Sequence, residues 1–346
     1  MATAEITVMG AGIFGLSVAY ACLRRGAGVQ VIDPYGVAAG ASGGIVGALA
    51  PHVPEQWNSK KAFQFDSLMM QQDHWDGVAQ LTGLPTGYAR AGRLQPLADD
   101  AAITLAKSRA AGADKLWQGR ASWSVIAAPE DGWTPASPSG FVIQDTLTAQ
   151  IHPRHATQAL AAAVTALGGT IHADAPARGQ IVWATGHKGL QAMTAQHSRL
   201  VGAGVKGQAA LLEFDAAGLP QLYADTLHIV PHHDGTVAIG STSERAFTTD
   251  DQTDAQLDDI ITRARLAVPI LRDAPVIARW AGVRPRSRSR APMLGHHPFR
   301  KGEYVANGGF KIGFGMAPKV GEVMADLILE NDASQIPEAF LAERNL

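Results

Sequence analysis

The chain has 346 residues, 46% hydrophobic and 17% charged, which excludes global disorder and supplies material for roughly two domains of ~150 residues. Lys and Arg total 29 against 31 Asp and Glu, so a formal net charge of −2 gives no electrostatic basis for a general polyanion binder. A single cysteine, Cys22, excludes an internal disulfide framework and a cysteine-built zinc cage, and a reducing, cytoplasmic setting is expected.

Glycine stands out, with 37 residues where a typical chain has ~7%, and this surplus predicts tight turns or close approach of backbone to a ligand. Residues 6–23 carry no charge, yet glycines at 10, 12 and 15 argue against a membrane span. The start Met1-Ala2-Thr3-Ala4-Glu5 lacks the basic residues of a signal peptide. No membrane role is expected. Residues 6–9 predict a buried strand running into Gly10-Ala11-Gly12-Ile13-Phe14-Gly15, then a helix to Arg25 stopped by Gly26. A second strand at 29–32 ends at Asp33, eighteen positions past Gly15. Strand, glycine turn, helix, strand and terminal acid together predict a dinucleotide site. Gly10 allows the turn, Gly12 admits a pyrophosphate and Gly15 lets helix and strand pack. The phosphates fall at the helix N-terminus and Asp33 takes the adenosine ribose. NAD and FAD both use such a unit.

A second small-residue turn follows at 39–48, including Ala41, Ser42, Gly43 and Gly44, and nicotinamide dehydrogenases have no need of it. Helices are expected at 62–81, with Phe63, Leu68, Met69, Val78 and Leu81 apolar, and at 155–167. Residues 180–183 read as a buried strand ending in the turn Ala184-Thr185-Gly186. Runs at 205–214, 227–230 and 236–240, divided by turn residues, predict an antiparallel sheet. Near the C-terminus come Gly308, Gly309, Phe310, Lys311, Ile312, Gly313 and Gly315, and Pro318 is expected to open a final helix. Small-residue clusters so far apart in sequence are expected to converge on one ligand.

Taken with His152-Pro153-Arg154, Lys206-Gly207-Gln208, Ile229-Val230-Pro231, the run 238–242, Trp280-Ala281-Gly282-Val283-Arg284-Pro285 and Gly309-Phe310-Lys311, the chain resembles the D-amino acid oxidase superfamily of FAD enzymes, in its glycine oxidase and sarcosine oxidase branch. The resemblance covers essentially the whole chain. It implies an α/β fold with an α+β substrate part, in which a Rossmann-like FAD domain is discontinuous (1–85, 151–204 and 286–346). A mainly antiparallel substrate domain would take 86–150 and 205–285. A sub-sheet common in the family between the helix at 155–167 and Ala184 is expected to be trimmed, so no adenine contacts are carried over from it. FAD would be noncovalent, because Gly282 stands near the family's linking cysteine and Cys22 lies in the first helix.

By the same resemblance Arg284 would hold a substrate carboxylate, where a planar guanidinium makes two parallel bonds. A turn arginine facing water is the plainer alternative, since Arg279, Arg286, Arg288 and Arg290 are close by. Lys311 matches a carboxylate-binding lysine of sarcosine oxidases. His228 stands where glycine oxidases tend to have tyrosine, and His232 where they often have arginine. His228, His232 and His233 have ligand-type side chains, but a strand puts 232 and 233 on opposite faces and no acidic partner is evident, so no metal is expected. Val237 replaces an oxygen-activating lysine, leaving the acceptor as O2 or another oxidant.

The expected function is oxidation of a small amino acid, glycine-like, N-alkylated or D-configured, by hydride transfer from the α-carbon to flavin N5, giving an imine that hydrolyses to an oxo-acid. Two alternatives stay open: oxidation of a glycine-like group on a tRNA wobble uridine, with Arg286, Arg288 and Arg290 on phosphate, and a flavin-binding subunit of a larger dehydrogenase. Nucleic acid is the less favoured partner given the negative charge.

Overall fold

Two β-branched stretches form adjacent parallel strands, β1 (Glu5–Met9) and β2 (Gly28–Ile32), joined by α1 (Ile13–Arg24). The structure, a computed structural model, describes residues 5–346; residues 1–4, on which the signal-peptide reading leaned, lie outside the described part. The uncharged run 6–23 is divided between β1, the glycine turn and a twelve-residue helix, and among the described residues no helix is long and apolar enough to cross a membrane.

β1 is central in a six-stranded sheet, flanked on one side by β2 and β8 (Thr170–His172) and on the other by β9 (Gln180–Trp183), β16 (Tyr304–Asn307) and β15 (Met293–His296). All pairs are parallel except β15–β16. Three distant parts of the chain thus build one sheet. Only β8 lies between α4 (Pro153–Ala166) and β9, as the trimmed sub-sheet requires. α1 is buried from Ile13 to Leu23, an apolar helix enclosed by α4 and by α7 (Gly313–Glu330). At the α1–α7 crossing a Cβ on Gly321 would come within 2.6 Å of the Ser17 carbonyl, so only glycine lets the helices approach this closely.

An eight-stranded, mainly antiparallel sheet runs β14 (Val276–Ser287), β10 (Gly202–Glu213), β13 (Thr236–Gly240), β12 (Leu227–Pro231), β11 (Gln221–Ala224), β4 (Arg93–Pro96), β6 (Phe141–Asp145), β5 (Trp123–Ala127). Its own apolar core includes Leu212, Ile229, Val237 and Ile239 and is covered by α6 (Ala255–Ala267). α2 (Ser59–Thr82) packs on α7, and α3 (Asp100–Leu116) on β5. α5 (Gly186–Ala195) starts straight after β9. A two-stranded ribbon joins β3 (Ala48–Leu49) to β7 (Ala149–Gln150).

Two expected boundaries are corrected. Pro318 does not open α7; the helix begins at Gly313 and Pro318 lies inside it. A proline there leaves the carbonyl of residue 314 without its intrahelical donor. The Gln71 side-chain amide donates to that Phe314 oxygen at 3.1 Å, while its own oxygen accepts from Trp75 Nε1 at 2.7 Å. The helix expected to follow His152-Pro153-Arg154 begins instead at Pro153, with His152 as its N-cap.

Candidate functional site

The glycine turns meet in space, and their hypothetical side chains show how tightly. A Cβ on Gly10 would lie 2.5 Å from the Ala184 carbonyl, one on Gly15 would lie 2.0 Å from the Gly10 carbonyl, and one on Gly309 would lie 3.1 Å from the Phe14 ring. Ser42 Oγ stands 3.2 Å from where a Gly12 Cβ would be, and it accepts from Ile13 N at 2.9 Å. Gly313 faces Ile13. Thus Gly10–Gly15, Ala41–Gly44, Ala184–Gly186 and Gly308–Gly313 surround the N-terminus of α1, where unpaired amides and the helix dipole favour an anion. Gly12 carries no capping side chain and the first turn has no acid.

Asp33 is fixed by backbone: Oδ2 accepts from Ala11 N at 2.8 Å and Oδ1 from Tyr35 N at 3.0 Å. Arg154 Nε donates to the Gly43 carbonyl at 2.9 Å and holds the second turn against α4. Thr185 accepts from Gly189 N through its carbonyl and closes the start of α5, while Gly308 N is bound by the Asn307 side chain at 2.7 Å. Phe310 N donates to the Pro285 carbonyl at 3.0 Å, tying the last glycine turn to β14, and Ile312 packs on the main core. The cradle fits a dinucleotide by its small residues, a helix N-terminus with no acid in its first turn and only the Ser42 hydroxyl on its first amide, and its fixed terminal acid.

The β10–β14 ladder brings the second sheet to this cradle. It pairs Val205 with Arg284 and Gly207 with Gly282, so Arg284, Gly282 and Trp280 share one face. Trp280 reaches Gly44, 3.4 Å from where a Cβ would be. The Arg284 guanidinium lies flat over Gly207 and donates to Ser241 Oγ at 2.5 Å and the Thr242 carbonyl at 3.3 Å. Burial pushes its pKa down to about 10 against the opposing pull of Glu244, which still leaves a cation at neutral pH. Partial burial first, and the Arg284 charge second, hold Lys311 below the usual lysine range.

A cavity of about 250 Å³ opens here, lined by Val205, Ser243, Arg245, Arg286, Arg290, Phe310 and Lys311, and no acid lines it. Arg286 sits 5.9 Å from the Phe310 ring centroid. Arg288, by contrast, is turned to the Leu346 carbonyl, so the arginines at 286, 288 and 290 are not one phosphate-facing set. Arg279 pairs with Asp258 at 2.5 Å.

His228 lies on β12 against Tyr223, ring centroids 4.8 Å apart, and burial, then Arg93 and Lys311, push its pKa down to about 3. It is a neutral ring, and its Nδ1 has no hydrogen-bond partner. Behind it Arg93 and Asp145 form a buried ion pair at 2.9 Å that sequence reasoning missed, because the two lie 52 positions apart. Ser241 and Thr242, which aim Arg284, were legible only as part of the run 238–242. His232 does not enter the cavity: its Nε2 is 2.9 Å from the Ile45 carbonyl. Val237 is fully buried in the second core. No acidic partner was expected for His228, His232 and His233, and this is corrected for His232, whose ring feels the Asp234 charge against the stronger effect of burial; the same carboxylate stands 3.6 Å from His152.

This cradle, with the uncharged turn at 39–48 added to the dinucleotide start, matches a family model over residues 5–327, described as FAD dependent oxidoreductase. The chain belongs to that family. It is 33% identical over 142 residues to a glycine oxidase of Bacillus licheniformis, covering 40% of this chain and 38% of that one. It is 27% identical over 372 residues to the bifunctional protein ThiO/ThiG of Synechocystis sp., covering 99% of this chain and 54% of that protein. The matches therefore span about half the length of these curated relatives or less. Among solved structures, a glycine oxidase from Geobacillus kaustophilus superposes with a TM-score of 0.85 at 20% identity, over 99% of this chain and 100% of that one. An iminodiacetate oxidase from Chelativorans sp. BNC1 gives the same TM-score and identity over 97% and 98%. These likenesses give the fold. The cofactor of the family is FAD, and the only cysteine, Cys22, is buried in α1 with its pKa pushed up to about 12 by burial, out of reach for a cysteinyl flavin link.

Proposed function

We propose that this FAD dependent oxidoreductase oxidises a small amino acid at its α-carbon, releasing an imine that water converts to an oxo-acid. The observation that carries the reading is the acid-free cationic cavity lined by Lys311, Arg245, Arg286 and Arg290, with the buried Arg284 close enough to Lys311 for its charge to add to burial in holding that lysine below its usual range. Bound FAD would supply the two-electron sink for a hydride. The protein's part is placement. Arg284, held by Ser241 and Thr242, presents its fork to the substrate carboxylate, and Lys311 adds a second positive charge to the same anion. His228, a neutral ring packed on Tyr223 and near enough to Lys311 to feel its charge, brings no acid to this side of the site and so leaves the amine free to lose its proton.

In this reading the six-stranded sheet with residues 1–85, 151–204 and 286–346 is the FAD domain, and 86–150 with 205–285 is the substrate domain. Arg245, Arg286 and Arg290 at the mouth exceed what one carboxylate needs, and this favours an amino acid carrying a second acidic group. The neighbour named as an iminodiacetate oxidase supports the same choice. Anaerobic mixing of the holoenzyme with glycine, N-methylglycine, D-alanine and iminodiacetate tests it. Bleaching of the flavin fastest with iminodiacetate is expected, and failure of all amino acids to bleach it would overturn the proposal. Return of colour in air distinguishes oxygen from another acceptor.

A further inference from the structure

A cluster of histidines on the far side of the second glycine turn takes no part in the proposed oxidation. His152 and His155 sit at the start of α4, one turn apart, with rings stacked at 3.7 Å between centroids. The β12–β13 turn brings Asp234 to 3.6 Å from His152 Nε2, and His233 to 5.6 Å from the His155 ring. One donor atom from each of His152, His155 and Asp234 lies within 4.8 Å of the others. His155 Nδ1 is buried without any hydrogen-bond partner, and so is Nδ1 of the neighbouring His232, a residue only 1% exposed. Buried ring nitrogens without partners are costly unless something unaccounted for binds them.

We propose that His152, His155 and Asp234 form a site for one divalent transition-metal ion of the zinc type. Two imidazoles and a carboxylate are the donor set of zinc and its neighbours, not of magnesium or calcium, which prefer oxygen alone. Tetrahedral zinc with bonds of about 2.0–2.1 Å holds its ligands about 3.3 Å apart, and the lone pairs of two rings stacked 13° from parallel do not converge, so binding requires the cluster to contract and the partly exposed His155 ring to turn out of the stack. His233, exposed on the same turn, or water fills the fourth position. Binding costs one weak contact: His152 Nδ1 now accepts from His155 N at 3.3 Å, and an ion on Nε2 moves the ring proton to Nδ1 and releases that bond.

The ion would act as a brace. α4 packs against the second glycine turn, His232 Nε2 holds the Ile45 carbonyl, and a Cβ on Gly47 would lie 1.8 Å from the Ile151 carbonyl. The three segments that meet at the cluster are thus the turn, the first helix residues after β7, and the β12–β13 turn of the other sheet.

Untagged holoenzyme, stripped with a chelator and dialysed, is titrated with zinc chloride by calorimetry, and its metal content is measured after desalting. One zinc per chain is expected in the micromolar range or tighter, with a rise in melting temperature as zinc is added. His155→Ala and Asp234→Asn should each weaken binding at least tenfold. Asp234→Asn keeps an oxygen for the Thr236 hydroxyl that Asp234 now accepts from, so this variant folds as the parent does, and flavin absorbance verifies it. His172→Ala, at an exposed histidine on β8, should change nothing. No saturable binding by the wild type, or wild-type affinity in both ligand variants, would overturn the proposal.

Discussion

Gly207→Ala tests the proposed carboxylate anchor without touching its charge. Gly207 lies in the regular β10–β14 ladder, so alanine meets no backbone penalty there. Its Cβ would stand 2.0 Å from Nη2, 2.1 Å from Nη1 and 2.2 Å from Cζ of Arg284. To regain an ordinary contact near ~3.5 Å the guanidinium must retreat by roughly 1.5 Å, which breaks its bond to Ser241. The side chain moves rather than the sheet, so stability and flavin content should hold. Loss of an aligned charge-assisted pair is worth about 1.5–3 kcal/mol, or roughly 10- to 150-fold in kcat/KM. Removing the charge with Arg284→Ala should cost more, about 2–5 kcal/mol and roughly 30- to 4,000-fold. The assay is the anaerobic rate of flavin bleaching, run beside an amine of the same shape that lacks the carboxylate. That amine should be poor for the parent and nearly indifferent to either change. If Gly207→Ala retains its flavin and oxidises the acid at the parental rate, Arg284 is not the anchor.

Three other outcomes are expected. Gln71→Met removes both partners of the proline-freed carbonyl and the Trp75 indole, and should lower urea stability by about 1–3 kcal/mol with little change in the flavin spectrum. His74 and His228 have pKa values pushed down to about 4 and about 3, mainly by burial, so below pH ~6.5 the unfolded chain binds protons that the folded one refuses. Stability should therefore fall as pH drops from 6.5 towards 4, by up to roughly 2–3 kcal/mol per pH unit for the pair, and unfolding titrations of His74→Gln and His228→Gln should show shallower slopes. Acid precipitation should leave FAD in a yellow supernatant and a colourless pellet, whereas flavin in the pellet would refute noncovalent binding.

Local chemistry was enough for much of this protein. The turn Gly10–Gly15 between a β-branched strand and an apolar helix, and Asp33 at the end of the next strand, are set by neighbours in sequence, and the structure holds them as the residue types require. Arg284 was singled out only through the resemblance carried by the run Trp280–Pro285; that this run is a strand, with Arg284 on the face of Trp280 and Gly282, is decided by the β10–β14 pairing. What the tertiary structure decided depends on pairs remote in the chain. The start of α7 five residues before Pro318 rests on an amide from Gln71, 243 positions away. Arg93 and Asp145 neutralise each other behind His228, and His152 meets Asp234 only because a helix start and a strand turn from different sheets abut. No periodicity or turn signal encodes such meetings, since each side chain is locally unremarkable and its charge or lone pair acquires a partner only when the sheets pack.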